Sequence, residues 1–350
     1  MGCLKAWVRC LTNPIQDDTV TYSLHQLAKD LHLGVIIYRL YYVPKGFLQK
    51  GLRTGLINMA IDYQARLQME TAAYRLKPVE VDASAKPLEI HFLSGKKFWY
   101  QTCFCAYSMA QHTRANLRPV IHDDGSLEKK YQDEILRIFP NARIILKQEI
   151  EERLEECFPQ SKFPYLRERR LNYPNMRKLT DIHAGSRGWK LVLDSDMLFF
   201  HSPTFLLDWL KSPQQPCHMV DVDSAYGYSD ALMASLAQAE IPERLNVGIC
   251  GLKSEDIDWE QLEAWCKTMI EQEGTHYYQE QALTAMLLAG KPCAVAPAED
   301  YIVMPTREEV INPKAILHHY VADSKSWYFR YGWKYVFQSD RQFKAMMQVS

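Results

Sequence analysis

Short apolar runs alternate with longer amphipathic segments between residues 88 and 157, and this alternation constrains the fold more than any other feature of the sequence. The runs with the length and composition of strands are 88–93, 117–122 and 142–146. The segments with helical periodicity are 99–112, 128–139 and 149–157. Strands and helices that alternate in this way form βαβ units around a parallel or mixed sheet. We therefore predict an α/β fold, a Rossmann-like mixed sheet flanked by helices, in which ligands bind beyond the carboxyl ends of the strands.

The region before residue 88 has a different character. Apolar residues recur at helical spacing around 24–31 and again around 56–67, and prolines at both ends of 78–87 mark a boundary. The extension carries no chemical motif, so we interpret it as a helical cap or a partner-binding appendage. The predicted parts of the chain are a helical N-terminal extension at 1–87, one catalytic domain at 88–330 and an aromatic, basic tail at 331–350.

Charge and cysteine content limit the partners and the compartment. A net charge of −1 provides no general attraction to nucleic acid, so we predict no nucleic-acid partner. The nine cysteines are odd in number and form no Cys-x-x-Cys pair, which is typical of reduced thiols in a cytoplasmic protein. No apolar run reaches the roughly 18 residues that a membrane-spanning helix needs.

An apolar run at 189–193 leads directly into Asp194-Ser195-Asp196, after which the sequence is apolar again. Side chains at positions i and i+2 of a strand point the same way, so we expect the carboxylates of Asp194 and Asp196 to share one site. Two carboxylates in apolar surroundings are costly unless a cation compensates them, and Mn²⁺ or Mg²⁺ prefers oxygen ligands. We predict that this pair binds a divalent cation; the alternative is a surface turn with two solvated carboxylates.

A second group of candidates lies near the C-terminus, where His319 and Lys325 belong to the segment from Ile316 to Trp327. Neutral imidazole is a suitable Mn²⁺ ligand beside carboxylates, and a lysine ammonium is a point charge suited to phosphate. His318 competes with His319 as a ligand candidate. A histidine pair on an apolar strand is also frequently structural, so both interpretations stay open at this point.

These two segments resemble glycosyltransferases. The Asp-Ser-Asp segment at 194–196 looks like the Asp-x-Asp motif of GT-A glycosyltransferases. His319, Lys325 and Trp327 match the spacing of the His-x-x-Gly-x-x-Lys-Pro-Trp motif of glycosyltransferase family 8, the glycogenin and bacterial galactosyltransferase group. The resemblance implies a GT-A fold, a Mn²⁺ (or Mg²⁺) cofactor held by both aspartates and His319, and a lysine that grips the donor diphosphate.

Two positions depart from the family 8 motif. Ala322 stands where the family has glycine, and Ser326 stands where it has proline. The missing glycine alters how the loop approaches the phosphates, so the departure concerns the geometry of the donor and leaves the ligand set intact.

Three weaker matches to family 8 add candidates. Arg177, with Lys178 as its substitute, resembles a basic residue that contacts the donor sugar or phosphate; the alternative is a solvated arginine. Asn246 opens an Asn-x-Gly sequence similar to the one beside the donor sugar, although Asn-x-Gly is also a common turn. Glu280 and Gln281 lie in a segment that resembles the catalytic Asp-Gln-Asp segment, and we predict Glu280 as catalytic with Gln281 as the alternate; a helix N-terminus would also favour Glu280.

A different family supplies a further match. The sequence Asp123-Asp124-Gly-Ser follows a predicted strand and is similar to a turn of family 2 glycosyltransferases that holds the nucleoside, although Asp-Gly is also generic turn chemistry. In an inverting enzyme of that kind, Glu299 or Asp300 is a candidate for the catalytic base. The sequence has neither Gly-x-Gly-x-x-Gly nor a P-loop motif, which argues against Rossmann dehydrogenases and P-loop NTPases.

The resemblance implies a metal-dependent transferase that moves a sugar from a nucleotide-diphosphate sugar, by resemblance a UDP-sugar, to an unknown sugar, lipid-linked or protein acceptor, with retention at the anomeric carbon. The alternatives are an inverting family-2-like enzyme, a sugar-nucleotide nucleotidyltransferase and a non-catalytic sugar-binding relative. Aromatic and basic residues mix between 325 and 344. That pattern suits peripheral contact with a membrane, and the alternative is that these aromatics pack over the site or the N-terminal helices.

Overall fold

The computed structural model describes residues 55–82 and 84–336. The chain divides into two compact units, 1–63 and 64–350, and only 55–63 of the first unit are described. Helix α1 (Leu56–Ala73) confirms the predicted helix around 56–67. The predicted helix at 24–31 lies outside the described residues, as does the tail beyond Val336, and the domain boundaries at 87 and 330 stay predictions.

Strands and helices alternate along the second unit. Its strands are β1 (Leu88–Ser94), β2 (Leu117–Asp123), β3 (Arg143–Ile145), β4 (Trp189–Leu193), β5 (Met197–Phe199), β6 (Cys217–Val220), β7 (Leu245–Lys253), β8 (Ala294–Val295), β9 (Tyr301–Val303) and β10 (Leu317–His319). After α1, its helices are α2 (Trp99–Gln111), α3 (Lys129–Ile138), α4 (Lys147–Cys157), α5 (Pro164–Asn172), α6 (Arg177–His183), α7 (Thr204–Lys211), α8 (Asp230–Ala237), α9 (Trp259–Glu273), α10 (Gln279–Leu288), α11 (Arg307–Ile311) and α12 (Lys325–Trp327).

The strands form a seven-stranded sheet of order β3-β2-β1-β4-β7-β6-β8 and a small sheet of order β5-β10-β9. In the large sheet β1, β2, β3 and β4 run parallel to one another, whereas β7 is antiparallel to β4 and β6. In the small sheet β10 is antiparallel to β5 and parallel to β9. Helices pack against the large sheet. The predicted mixed α/β fold is therefore confirmed.

Aromatic residues after β10 are part of the apolar core. Tyr328, Phe329 and Trp333 are buried in the cluster that also contains Trp99 and residues of β1. Burial of side chains of this size contributes about 1.5–3 kcal/mol each. Part of the aromatic segment therefore packs into the core, whereas Tyr331 and Tyr335 are exposed, and membrane contact by the segment stays a prediction. None of the described helices combines the length and the apolar character that crossing a membrane requires.

Candidate active site

Asp194 and Asp196 lie in a turn between β4 and β5. The backbone N–H of Asp194 donates to the carbonyl of Gly248 in β7 (2.8 Å), and the carbonyl of Asp196 accepts from the N–H of Tyr320 (2.9 Å). The strand thus ends before the pair, whereas our argument from positions i and i+2 assumed that it continued. The turn is fixed from both sides by backbone hydrogen bonds, and it still brings both carboxylates to the end of β4.

Strand β10 brings His319 to the same point, because His319 pairs with Met197 at the start of β5. His319 Nε2 lies 3.4 Å from Asp196 Oδ1 and 3.7 Å from Asp194 Oδ2, and one ligand atom from each residue falls within a 4.8 Å cluster. Glycine at 248 permits this approach, since a Cβ there would stand 2.4 Å from the imidazole Cε1.

The donor set fits a divalent cation. His319 is only 2% exposed, and neither of its ring nitrogens has a hydrogen-bond partner among the described residues. Buried polar atoms are normally paired, so two unpaired nitrogens beside two carboxylates are the pattern that a metal ligand leaves. Two carboxylate oxygens and one imidazole suit Mn²⁺ or Mg²⁺ with positions left for substrate oxygens.

The adjacent His318 faces away from this cluster. Its Nε2 lies 3.0 Å from Glu309 Oε1 and its Nδ1 lies 3.1 Å from the hydroxyl of Tyr320. The ring also packs 4.6 Å from the ring of Phe200. Neighbouring side chains of a strand point to opposite faces, so only one histidine of the pair can reach the aspartates. His318 has a structural role.

Lys325 contacts Asp196 through a salt bridge between Nζ and Oδ2. Burial alone would raise the pKa of Asp196, but the nearby Lys325 and His319 hold it well below its ordinary value. Asp196 is therefore a carboxylate at neutral pH. The loop before Lys325 contains Ala322 at φ +46°, a left-handed conformation that favours glycine. The chain thus keeps a glycine-like backbone at the position where alanine replaces the family's glycine.

Lys178 occupies the other side of Asp194. Its Nζ lies 3.1 Å from Asp194 Oδ1 and 3.4 Å from Glu280 Oε2. Burial would lower the pKa of Lys178, but the two carboxylates raise it overall, so the ammonium stays charged. Burial raises the pKa of Glu280 to about 7 even though Lys178 lowers it, because one cation is shared between two carboxylates. Glu280 is thus poised between its acid and its carboxylate near neutral pH.

The structure places Arg177 outside this cluster. Its guanidinium donates to the carbonyls of Asp124 and Arg170. Lys178, the substitute in our sequence analysis, is the basic residue of α6 that contacts Asp194. A contact between Arg177 and a donor stays a prediction.

Asp221 is a member of the site that the sequence analysis missed. Its Oδ2 accepts from Asn246 Nδ2 (2.8 Å) and from Gln281 Nε2 (3.3 Å). Asn246 Oδ1 in turn accepts from the N–H of Gly248 (2.8 Å), so both ends of this amide have partners within the protein. Gln281 Nε2 also donates to the carbonyl of Ala225 (3.0 Å), which fixes the amide and leaves its oxygen as the acceptor. Asp221 thus orients two of the predicted site residues.

The carboxylates of the turn after β2 accept hydrogen bonds from nearby residues of the same turn. Asp123 Oδ1 accepts from the N–H groups of Gly125 (2.7 Å) and Leu127 (2.9 Å). Asp124 Oδ1 accepts from the N–H (2.9 Å) and the hydroxyl (2.6 Å) of Ser126. These contacts are the turn chemistry that we gave as the alternative, and a role of either aspartate in holding a nucleoside stays a prediction.

Glu299 and Asp300 lie directly before β9. The carbonyl of Asp300 accepts from the N–H of Leu317, which is the first residue of β10. Because β9 and β10 are parallel, Asp300 lies at the strand end opposite to His319. Neither carboxylate belongs to the Asp194–Asp196–His319 cluster.

No protein-family model matches the sequence, and no curated protein matches it. Among solved structures, the galactosyltransferase LgtC in complex with donor and acceptor sugar analogues is similar at 16% identity over 72% of this chain and 95% of that one, with a TM-score of 0.49. Mouse xyloside xylosyltransferase 1 is similar at 8% identity over 67% and 97%, with a TM-score of 0.42. The glycosyltransferase GlyE of Streptococcus pneumoniae is similar at 10% identity over 74% and 64%, with a TM-score of 0.41. All three are glycosyltransferases, the class that the sequence motifs resemble.

Proposed function

We propose that this protein is a metal-dependent glycosyltransferase that uses a nucleotide-diphosphate sugar, a UDP-sugar by motif resemblance, and retains the anomeric configuration. The observation that carries the proposal is the convergence of Asp194, Asp196 and His319 within 4.8 Å, with Lys325 paired to Asp196. A hydrolase could use the same ligands, but the spacing of these residues follows the family 8 motif. A divalent cation held there would stabilise the negative charge of a departing nucleoside diphosphate.

Lys325 and Lys178 have different electrostatic roles in the proposed site. Lys325 is 38% exposed and, among the described residues, pairs only with Asp196, so its ammonium is available to the phosphate of a donor. Lys178 is buried between Asp194 and Glu280. If its ammonium moved to a substrate, both carboxylates would lose their cationic partner, which is costly for buried charges. We assign Lys325 to the leaving group and Lys178 to holding the two carboxylates in place.

Glu280 is the residue that we assign to the reacting sugar. Glu280 is 4% exposed and faces the cationic Lys178, which favours the carboxylate form of Glu280. Positive charge on a bound substrate would favour that form further. A carboxylate there would stabilise the positive charge that develops on a sugar ring during glycosyl transfer. Gln281, whose amide oxygen stays available as an acceptor, would bind a hydroxyl of the donor sugar or of the acceptor.

The stereochemical assignment depends on where a general base could lie. An inverting enzyme needs a base that activates the acceptor from the face opposite the leaving group. Asp300, the candidate, lies at the strand end opposite to His319. Retention requires no such base, since the departing phosphate can itself take the proton. We therefore propose retention, and Glu299 and Asp300 flank β9 without a catalytic role.

The test is release of nucleoside diphosphate from a panel of UDP- and GDP-sugars with Mn²⁺, with and without EDTA. We expect turnover that EDTA abolishes and that Asp196→Ala lowers at least a hundredfold, because a metal ligand is lost. Asp208→Ala is the matched control, since Asp208 is an exposed aspartate paired only with Lys211.

Two results would contradict the proposal. Turnover that persists in excess EDTA or in Asp196→Ala would remove the metal assignment, and a fully folded protein that releases no nucleotide from any donor would remove the transferase assignment. Proton NMR of the first product from an α-linked donor checks the stereochemistry. An α-linked product supports retention, and a β-linked product would favour the inverting alternative.

A further inference from the structure

Two exposed tyrosines stand at the start of helix α10, next to the proposed site. Tyr277 is 67% exposed and Tyr278 is 40% exposed. Their rings lie 5.2 Å apart at 84° to each other, and the ring of His276 stacks on Tyr278 at 5.9 Å. We call His276, Tyr277 and Tyr278 the aromatic ridge. Exposed aromatic groups that cluster in this way mark binding surfaces more often than isolated exposed rings do.

The backbone of the aromatic ridge is held in place by two buried side chains, Tyr173 and Tyr228, and by the half-buried Arg169. The hydroxyl of Tyr173 donates to the carbonyl of Tyr277, and Arg169 Nη2 donates to the carbonyl of His276 (3.3 Å). The hydroxyl of Tyr228 donates to the carbonyl of Gly274 (3.0 Å), just before the ridge. A surface whose backbone is already fixed loses little entropy when a ligand binds. The ridge is therefore preorganised.

The aromatic ridge is continuous with the site. Tyr278 immediately precedes α10, whose first turn contains Glu280. The segment after Asp221 connects the two regions from the other side: Ala225 accepts from Gln281, and a Cβ at Gly227 would stand 1.9 Å from the imidazole of His276. A ligand that reaches Gln281 therefore meets the ridge on leaving the site.

We infer that the aromatic ridge binds the acceptor and that this acceptor is a glycan of at least two sugar units. The inference rests on the proposed function. The C–H face of a sugar ring packs on an aromatic face, while its hydroxyl groups need hydrogen-bond acceptors. The structure supplies both: the exposed tyrosine rings, and the amide oxygen of Gln281, three residues after Tyr278 at the start of α10. One unit would occupy the site at Glu280 and Gln281, and the next would stack on Tyr277 or Tyr278.

The charges around the aromatic ridge favour a neutral glycan over a phosphorylated lipid. Arg169 packs over the ring of Tyr173 and donates to Gln279 and to the carbonyl of His276, so part of its hydrogen-bonding capacity is already used within the protein. The charged groups beside this end of α10 include the carboxylate of Asp221, which accepts from Gln281, and that of Glu280, which faces the buried Lys178. An anionic headgroup would meet carboxylates, whereas sugar hydroxyls would donate to them.

The test is binding of the full-length protein to an array of immobilised glycans from one to six sugar units. We expect binding to glycans of two or more units and little binding to monosaccharides. The double variant Tyr277→Ala/Tyr278→Ala should weaken that binding at least tenfold with an unchanged Tm, while Tyr277→Phe/Tyr278→Phe should stay within threefold because the ring faces remain. Tyr74→Ala is the matched control, since Tyr74 is 44% exposed.

Several outcomes would overturn the inference. Glycan binding that is equal in the double alanine variant would place the acceptor elsewhere, and binding of monosaccharides alone would remove the second unit. The absence of any glycan binding would refute the acceptor class, and vesicles of phosphatidylcholine and phosphatidylglycerol that bind through the two tyrosines would favour a lipid. Nucleotide release tests the proposed function without any acceptor, so failure of one proposal is distinguishable from failure of the other.

Discussion

Two groups of charged and polar residues, one joining helices α4 to α6 and one at the end of β4, differ in how their polar atoms are paired. Arg170 is 3% exposed and makes bidentate contacts with Asp181 (2.5 and 2.9 Å) and with Glu151 (2.9 and 3.1 Å). These contacts join helices α4, α5 and α6. Every charge in this group, which we call the Arg170 cluster, has a partner of the opposite sign.

The Asp194–Asp196–His319 cluster is built differently. Two carboxylates face one imidazole whose nitrogens have no hydrogen-bond partner among the described residues, and the cations beside them, Lys178 and Lys325, come from other segments. A buried polar group without a partner costs about 1–3 kcal/mol. The Arg170 cluster satisfies its charges within the protein, whereas the second cluster leaves both ring nitrogens of His319 without a partner among the described residues.

The largest expected effect comes from breaking the Arg170 cluster. Arg170→Met leaves the buried carboxylate of Asp181 without its partner, so the free energy of unfolding should fall by about 3–5 kcal/mol. Urea denaturation measures the change. Arg143→Met is the control, because its pair with Glu149 is exposed and should be worth less than about 1 kcal/mol. Equal losses in the two variants would refute the contrast between the clusters.

The next effect concerns the Asp194–Asp196–His319 cluster. Lys325→Ala should lower kcat/KM by about 2–4 kcal/mol in barrier terms, the range for one preorganised electrostatic contact, and should leave the free energy of unfolding nearly unchanged. Steady-state kinetics with Mn²⁺ and calorimetry measure both quantities. Lys314→Ala, an exposed lysine, serves as control. A Lys325→Ala enzyme within twofold of the parent would mean that this lysine does not contact the donor.

The titration of Glu280 should make the free energy of unfolding depend on pH, in a direction that its raised pKa determines. Its pKa rises from the ordinary 4.5 to about 7 in the folded protein, so the folded state binds more protons between these values. The contribution of Glu280 is therefore fully present below pH 4.5 and lost as the pH rises through 7, at about 1.4 kcal/mol per pKa unit. The stability difference between parent and Glu280→Gln, measured in EDTA, should fall across this range.

A carboxylate of opposite behaviour provides the control for that titration. Hydrogen bonds from Ser229 lower the pKa of Glu273, so its contribution is lost as the pH falls rather than as it rises. Glu273→Gln should therefore change the stability curve with the opposite sign. A difference between parent and Glu280→Gln that is constant from pH 4.5 to 7 would contradict the assignment of Glu280.

The smallest expected effect concerns the backbone at Ala322, in the loop between His319 and Lys325. A left-handed conformation is costly for alanine, so Ala322→Gly should raise the free energy of unfolding by roughly 0.5–1 kcal/mol after the entropy of glycine is subtracted. Ala289→Gly is the control, since Ala289 has an ordinary φ of −56° and should lose stability. A loss in Ala322→Gly would mean that the methyl group makes a contact worth more than the strain.

Local sequence signals predicted the elements of the α/β unit well. The strand predicted at 88–93 spans Leu88–Ser94, and the helix predicted at 128–139 spans Lys129–Ile138. Periodicity is a property of neighbouring residues, so it reports elements but not their pairing. The small sheet β5-β10-β9 depends on contacts distant in sequence and had no local signal.

The site residues that belong to a sequence motif could be predicted, whereas those selected by three-dimensional contacts could not. The sequence placed Asp194, Asp196 and His319 together, and the structure does so. It could not decide between Arg177 and Lys178, because neighbouring helix positions face different directions. Asp221 was missed although a signal existed: Asp221-Val-Asp follows the apolar strand β6 in the same way that the Asp-Ser-Asp segment follows β4.

The pairing of β10 with β5 also has a consequence for how the chain folds. Contacts between segments distant in sequence form late, because the entropy cost of closing a long loop arises before favourable contacts form to offset it. The cation ligands meet only when His319 lies opposite Met197, and the backbone bond from Tyr320 to Asp196 closes the same pairing. A nascent or partly folded chain therefore holds the two aspartates without His319, and under the metal binding proposed above, tight capture of a cation would mark the completion of folding.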